Sequence, residues 1–432
     1  MKKNKKQRAI MLSILPLSLM SFFSYSHANI TSLSDGELRK VEGQGLMTLS
    51  YISPTDSQNQ NTGSNIGFYK LGMEAQVDLN ANIKKLQLGC GGVNGAGACD
   101  IDIDYLSLSG VADTSTGRAS SSATITNPFI QFAIKNPNSA STREVSGFRL
   151  SAESIQGLLT FGLENGDAKS GINSFSGYMV TKDTTGTVST GAVNSGLTQS
   201  ALGKVITGMA KSSTGLITTN FRSTAYDLTL SAASGSLVLP SQVITGKRIT
   251  SANLTGTATV SGIGLGGTIK ADTDLGIGVS GNLSGTINNL GVNVTVNEDL
   301  GYFHKVNLNG TAASLSMQKQ NLIWPDAKST AQTGWWLELS NPIDIGDVSP
   351  LKTVDITKDV VSATLDQVSA YLGQKSHAVN CGILALSCVV AGKIDTGTVD
   401  LSNSASVPMG LTNLVLTNQT FAPNCYGNLK FC

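Results

Sequence analysis

Charge is scarce in this sequence. Asp, Glu, Lys and Arg make up 14% of its 432 residues, where an ordinary globular domain has about 25%. Aromatic residues are also few, 6% with only 3 Trp, and there are 3 histidines. Without a basic face there is nothing to track a phosphate backbone, which argues against nucleic acid as a partner. Zinc is disfavoured too, because zinc sites use C-x₂₋₄-C spacing with further Cys or His, and beyond the N-terminal segment only His304 and His377 are present. Catalytic signatures are missing in the same way: no G-x-S-x-G, no Walker sequence and no H-E-x-x-H occurs. His304 follows Tyr302 and Phe303 in strand-like sequence and reads as a packed or surface histidine. Gly262-Ile263-Gly264-Leu265-Gly266-Gly267 satisfies G-x-G-x-x-G, but a dinucleotide site needs a helix after it, and Thr268 to Leu275 has no helical stripe. An enzyme is therefore not the expectation, and no catalytic residue is assigned.

What the chain does have is glycine, 47 residues of it, with much Ser, Thr and Asn. The length suits two or three domains or one long array. Residues 1–28 have the three parts of a secretory signal peptide: a basic cluster (Lys2, Lys3, Lys5, Lys6, Arg8), an apolar run from Ala9 to Phe23, and Ser26-His27-Ala28 as the cleavage site. The run is shorter than a bilayer span and is interrupted by Pro16. Removing the five cations leaves 25 basic against 29 acidic residues, a mature charge near −4. The expected location is outside the inner membrane, at the cell surface or outer membrane, with the periplasm as alternative.

Six cysteines agree with that compartment. They fall in three close couples, Cys90/Cys99, Cys381/Cys388 and Cys425/Cys432, separated by long cysteine-free chain, so local pairing is expected. Across seven residues a helix would separate the Cα atoms by about 10 Å and a strand by more than 20 Å, whereas a disulfide needs about 4.4–6.8 Å. Each couple must therefore close a turn.

Just after the cleavage site, Ser34 and Glu37 have capping-box spacing, Leu33 and Leu38 take staple positions, and Gly43 can end a short helix. Leu33, Asp35, Glu37, Leu38, Val41, Gly43 and Gln44 together resemble the short motif that follows the signal peptide in Fil-type exported proteins of gammaproteobacteria. The Gly-rich segment Cys90 to Leu108 is similar as well. With the signal peptide and the cysteine couples, the resemblance implies an exported non-enzymatic surface protein that acts in adhesion or as a pilus-associated structural component, with other surface or pilus proteins, or a host or abiotic surface, as partners.

From Tyr51 onward the hydrophobic period is mostly two. The expected fold class is all-β, an elongated antiparallel sheet, sandwich or meander with one or two short helices and local disulfides. The expected organisation is 29–50 helix and linker, 51–180 an N-terminal β region, 181–345 a Gly/Ser/Thr-rich meander, and 346–432 a C-terminal region with a helix and two disulfide loops. Phe129 to Ile134 is apolar on both faces and reads as a buried strand. Ala112 to Ala123 and Thr181 to Ser200 read as turns. Asn-Leu-x-Gly-Thr recurs at Asn253, Asn282 and Asn307, as successive strand pairs of a meander would repeat it. Val361, Leu365, Val368 and Leu372 form a helical stripe with Gly373 as its stop.

Two binding features stand out. Asp100, Asp102 and Asp104 would share a strand face at about 7 Å spacing, so two could approach one calcium ion. In this run the phase slips after Tyr105, as at a bulge, making Leu106 and Leu108 the apolar set. Trp335 and Trp336 point to opposite faces of a strand, and Trp336, beside Glu338 and Ser340, is the candidate partner contact. At the C-terminus Phe431 is penultimate, and the sequence before it matches neither an outer-membrane barrel nor a pilus subunit. The alternative to a surface protein is a carrier whose sheet curls around a lipid or other apolar ligand.

Overall fold

The computed structural model describes residues 47–163, 169–382, 388–412, 414, 416 and 418–428. The signal peptide, the helix expected at 33–43, Phe431 and Cys432 lie outside the described residues. The described residues belong to one compact unit and are mostly β.

The chain opens with β1 (Met47–Ile52), β2 (Ile66–Met73), β3 (Gln76–Leu79), β4 (Ala81–Leu88), β5 (Ile101–Ser109), β6 (Ala123–Lys135), β7 (Glu144–Thr160) and β8 (Ile172–Thr181), with helix α1 (Ser115–Ala119) before β6. All eight join one twelve-stranded sheet. Next come β9 (Thr184–Ser189), β10 (Val193–Thr198), helix α2 (Gln199–Leu202), β11 (Thr207–Lys211), β12 (Thr218–Leu230) and β13 (Ser234–Leu239). They are followed by β14 (Val243–Ile249), β15 (Ser251–Val260), β16 (Ile263–Thr273), β17 (Gly278–Asn288) and β18 (Leu290–Asp299). The last elements are β19 (Lys305–Asn309), β20 (Ala313–Gln318), β21 (Gly334–Asp344), helix α3 (Lys358–Leu372), β22 (Val379–Asn380), β23 (Cys388–Asp400) and β24 (Val407–Thr412).

Strands β14, β19, β20 and β21 return to the first sheet. A seven-stranded sheet runs β22-β11-β12-β16-β17-β23 with β10 beside β12, and a five-stranded sheet runs β24-β18-β15-β13-β9. Most pairs are antiparallel, but β11–β22, β17–β23, β18–β24 and β8–β21 are parallel. Alternation builds these strands as expected: in β18, Leu290, Val292, Val294 and Val296 are buried while Asn293, Thr295 and Asn297 are exposed or half-buried. All three sheets feed one hydrophobic cluster, and Val361, Leu365, Val368 and Leu372 of α3 enter it together. Gly373 caps that helix.

Some expectations are corrected. The three Asn-Leu-x-Gly-Thr segments fall in β15, β17 and β19, one in each sheet, so they are not successive pairs of one meander. Thr181 to Ser200 contains β9 and β10, because Val188 is buried and Val193 and Leu197 pack on the core. Ala112 to Ala123 holds α1, whose Arg118 is fully buried. Within the large sheet, β5, β7, β19, β21 and β8 pair in a closed circuit. Ile103, Leu159, Val306, Ile343 and Ile172, one from each, are all buried. Five strands are too few to enclose a lumen, so side chains fill this ring.

Candidate functional site

Two disulfides form as the spacing predicts, Cys90–Cys99 and Cys381–Cys388. Cys425 is also disulfide-bonded, and its expected partner Cys432 lies outside the described residues. Disulfides of this kind belong to an oxidising compartment.

The three aspartates do not gather into one cluster. Lys85 on β4 reaches both neighbours, its Nζ lying 2.5 Å from Asp102 and 2.9 Å from Asp104. Asn173 Nδ2 donates to both carboxylates as well. Asp100 is separate: it is buried, accepts from the Trp335 N–H at 3.1 Å and from Asn94 Nδ2 at 3.2 Å, and has Lys247 3.8 Å away. The cation that Asp102 and Asp104 face is thus the Lys85 ammonium. No cluster of three or more metal-ligating groups occurs among the described residues.

Tyr105 has φ 48°; Ile101 and Ile103 before it belong to the hydrophobic cluster, and Leu106 and Leu108 beyond it pack half-buried against the same cluster, as the expected change of phase requires. The alternate positions Ser107 and Ser109 are buried as well. The reason is Arg118, which donates to Ser109 Oγ at 2.9 Å, Ser107 Oγ at 3.2 Å, Thr160 Oγ1 at 3.4 Å and the Ala422 carbonyl at 2.8 Å. Burial pushes its guanidinium down to about 10, so it stays charged at neutral pH.

Trp336 is buried, not a free partner contact. Its indole N–H donates to Ser329 Oγ at 3.1 Å, and segment 319–333 covers it. Glu338 anchors that cover, accepting from the Lys328 N–H at 2.8 Å and the Ser329 hydroxyl at 2.7 Å. Trp324, in the same segment, packs on Phe68 and donates to Gln318 Oε1.

The register of β1, β2, β6, β7, β20 and β21 produces what single strands could not reveal. One row across the six strands reads Leu49, Leu71, Ile130, Leu150, Leu315, Leu337. The next on the same face reads Tyr51, Tyr69, Phe132, Phe148, Met317, Trp335. Tyr51 stacks on Tyr69 and Phe148 meets Trp335 edge-on. Over β1, β2, β6 and β7 this face is open, with Leu49 74% exposed, Leu150 42%, and Ile130 and Phe132 38% each, while Leu315, Leu337 and Trp335 at its other end pack half-buried against the main hydrophobic cluster. Phe129 to Ile134 is therefore not a strand buried on both faces.

The opposite face is polar and covered. Its middle row is Ser50, Lys70, Gln131, Arg149, Ser316, Trp336. Gln131 and Arg149 are direct cross-strand neighbours and are 2% and 5% exposed. They line a cleft of about 590 Å³, walled by Asp56 and Gln58 on one side and by Pro325, Asp326 and Lys328 on the other. Gln131 Oε1 and Arg149 Nε are buried without a hydrogen-bond partner among the described residues. The Arg149 guanidinium lies 5.4 Å from the Phe129 ring centroid and 5.6 Å from that of Trp324. Burial lowers it to about 10, against the opposing pull of Glu338 and Asp326.

Compared with protein-family models, with curated proteins and with solved structures, the chain matches none. Among the described residues no helix is long and apolar enough to cross a membrane.

Proposed function

We propose that this is an exported, non-enzymatic surface protein that attaches to another β-rich surface or pilus component through the open apolar face of its largest sheet. The carrying observation is the open part of the two apolar rows, from Leu49 and Tyr51 on β1 to Leu150 and Phe148 on β7. Contiguous apolar surface of this kind, unlike scattered single side chains, marks an interaction site. Strand β1 adds a second reason. It ends the sheet order, so its outer edge offers unpaired backbone groups beside the apolar rows, the arrangement that strand addition uses. The short Fil-like motif and the disulfides support export.

The test is protease treatment of intact cells combined with the variant Leu49→Ser/Ile130→Ser/Leu150→Ser. Surface display predicts degradation of the protein on whole cells, and the variant should fold normally yet lose its co-purifying partner. Full protection from protease, or undiminished capture by the variant, would overturn the reading. The alternative, carriage of an apolar ligand, draws on the same face and would show as lipid in a solvent extract of the purified protein.

A further inference from the structure

The cleft on the other side of the same strands is polar where the attachment face is apolar. Its floor holds two polar groups side by side that folding has removed from water without giving them partners: an N–H donor on Arg149 and a carbonyl acceptor on Gln131. A buried polar group left unpaired is destabilising, and such sites call for an occupant.

The chemistry of the walls narrows what that occupant is. An anion would satisfy Arg149 but would meet the Gln131 carbonyl oxygen and the carboxylates of Glu338, Asp326, Asp56 and Glu153. A cation would satisfy those and meet Arg149, Lys70 and Lys328. The cationic and anionic groups are nearly balanced, so neither sign is selected. A hydroxyl group both accepts and donates, and one hydroxyl can take the Arg149 N–H and give its proton to Gln131. Ser50, Ser151, Ser314, Ser340 and Thr311 add further hydroxyls around the cleft, while Phe68, Phe129 and Pro325 give apolar surface for the C–H side of a ring. The volume of about 590 Å³ falls in the range of small-ligand sites.

We propose that the cleft over Gln131 and Arg149 binds a neutral saccharide, with these two side chains holding one of its hydroxyls.

The experiment is saturation-transfer NMR on the full mature chain. The probes are methyl glucoside, methyl galactoside, methyl mannoside, N-acetylglucosamine, maltose and lactose, with acetate and inorganic phosphate as anion controls. At least one neutral sugar is expected to receive saturation and to alter tryptophan emission, since Trp324 borders Arg149. Gln131→Leu should weaken that binding about tenfold, the loss of one good hydrogen bond. Because it removes an unsatisfied buried group, it should melt no lower than the parent, which separates binding from folding. Arg149→Met should weaken binding too, and if it does not fold, Gln131→Leu decides. Leu49→Ser, on the opposite face, should bind sugar as the parent does. The proposal is overturned if no sugar shows transfer at about 10 mM, a concentration that detects even millimolar affinity. It is equally overturned if Gln131→Leu binds undiminished, or if acetate or phosphate occupies the cleft in preference to every sugar.

Discussion

The carboxylate of Asp100 accepts the backbone N–H of Trp335 at 3.1 Å, across a separation of 235 residues. It joins the end of the Cys90–Cys99 loop to the start of β21, and Gly334 makes room for it: at φ +99°, a Cβ there would lie 2.3 Å from Asp100 Oδ2. Asp100→Ala should cost about 1–3 kcal/mol by stranding buried donors. Gly334→Ala should cost at least as much, through both the clash and the positive φ. Urea unfolding of the two variants measures both.

Asp102 and Lys85 predict a pH dependence. Burial alone would raise the Asp102 carboxyl, but hydrogen bonds from Lys85, Gln87 and Asn173 outweigh it and the value lies below the ordinary 3.8. The stabilisation is therefore present above pH 3.8 and is lost as pH falls through the lowered value. Lys85 is the mirror case. Burial opposes its charge, yet Asp102 and Asp104 raise it above 10.5, so its contribution is full below that pH and fades as pH rises through the raised value. Solvent screening keeps the effect below about 1 kcal/mol. Lys85→Met should flatten the acid limb of melting temperature against pH, and the parent should melt alike in calcium and in chelator.

Arg118 is a buried cation held by neutral acceptors. Arg118→Met should leave the Ser107, Ser109 and Thr160 hydroxyls and the Ala422 carbonyl short of a donor, at about 3 kcal/mol. Arg118→Lys should rescue little, because an ammonium cannot reach acceptors arrayed around a planar fork. Midpoint shifts in urea with an unchanged slope would show lost stability rather than a changed fold.

The Cys90–Cys99 loop is tied down twice, by its disulfide and by Asn94, which donates to Gly89 O and accepts from Arg248. Cys90→Ser/Cys99→Ser should lose about 2–3 kcal/mol. Urea unfolding of the variant beside the parent, both without reductant, measures it.

Local features were readable from sequence. The stripe of α3 repeats within one element and stops at Gly373, and the cysteine couples close within ten residues, so each could be inferred without knowing its neighbours. Features that depend on register could not. Ile130 and Phe132 look as suited to a core as Ala133 does, and only pairing with Leu71, Leu150, Tyr69 and Phe148 shows that they continue an open face. Arg118 sat in a Ser/Thr/Gly-rich stretch that reads as turn, while its acceptors come from β5, β7 and residue 422. Gln131 and Arg149 become a site only because β6 and β7 align them. Trp336 gave a correct strand-face alternation, but its cover comes from a loop whose destination the sequence does not encode locally.

The filled ring of β5, β7, β19, β21 and β8 also bears on how the protein is made. Its first three strands are synthesised early, and the two that complete it come only at Lys305 to Asp344, after the whole of the other two sheets' central strands. Until then β7 and β8 carry bare edges, the state in which chains pair wrongly. Pairings this distant in sequence fold slowly. Truncation before β19 should therefore yield aggregates rather than a smaller stable protein, and in the living cell the half-made chain would need an escort to hold it apart from its neighbours.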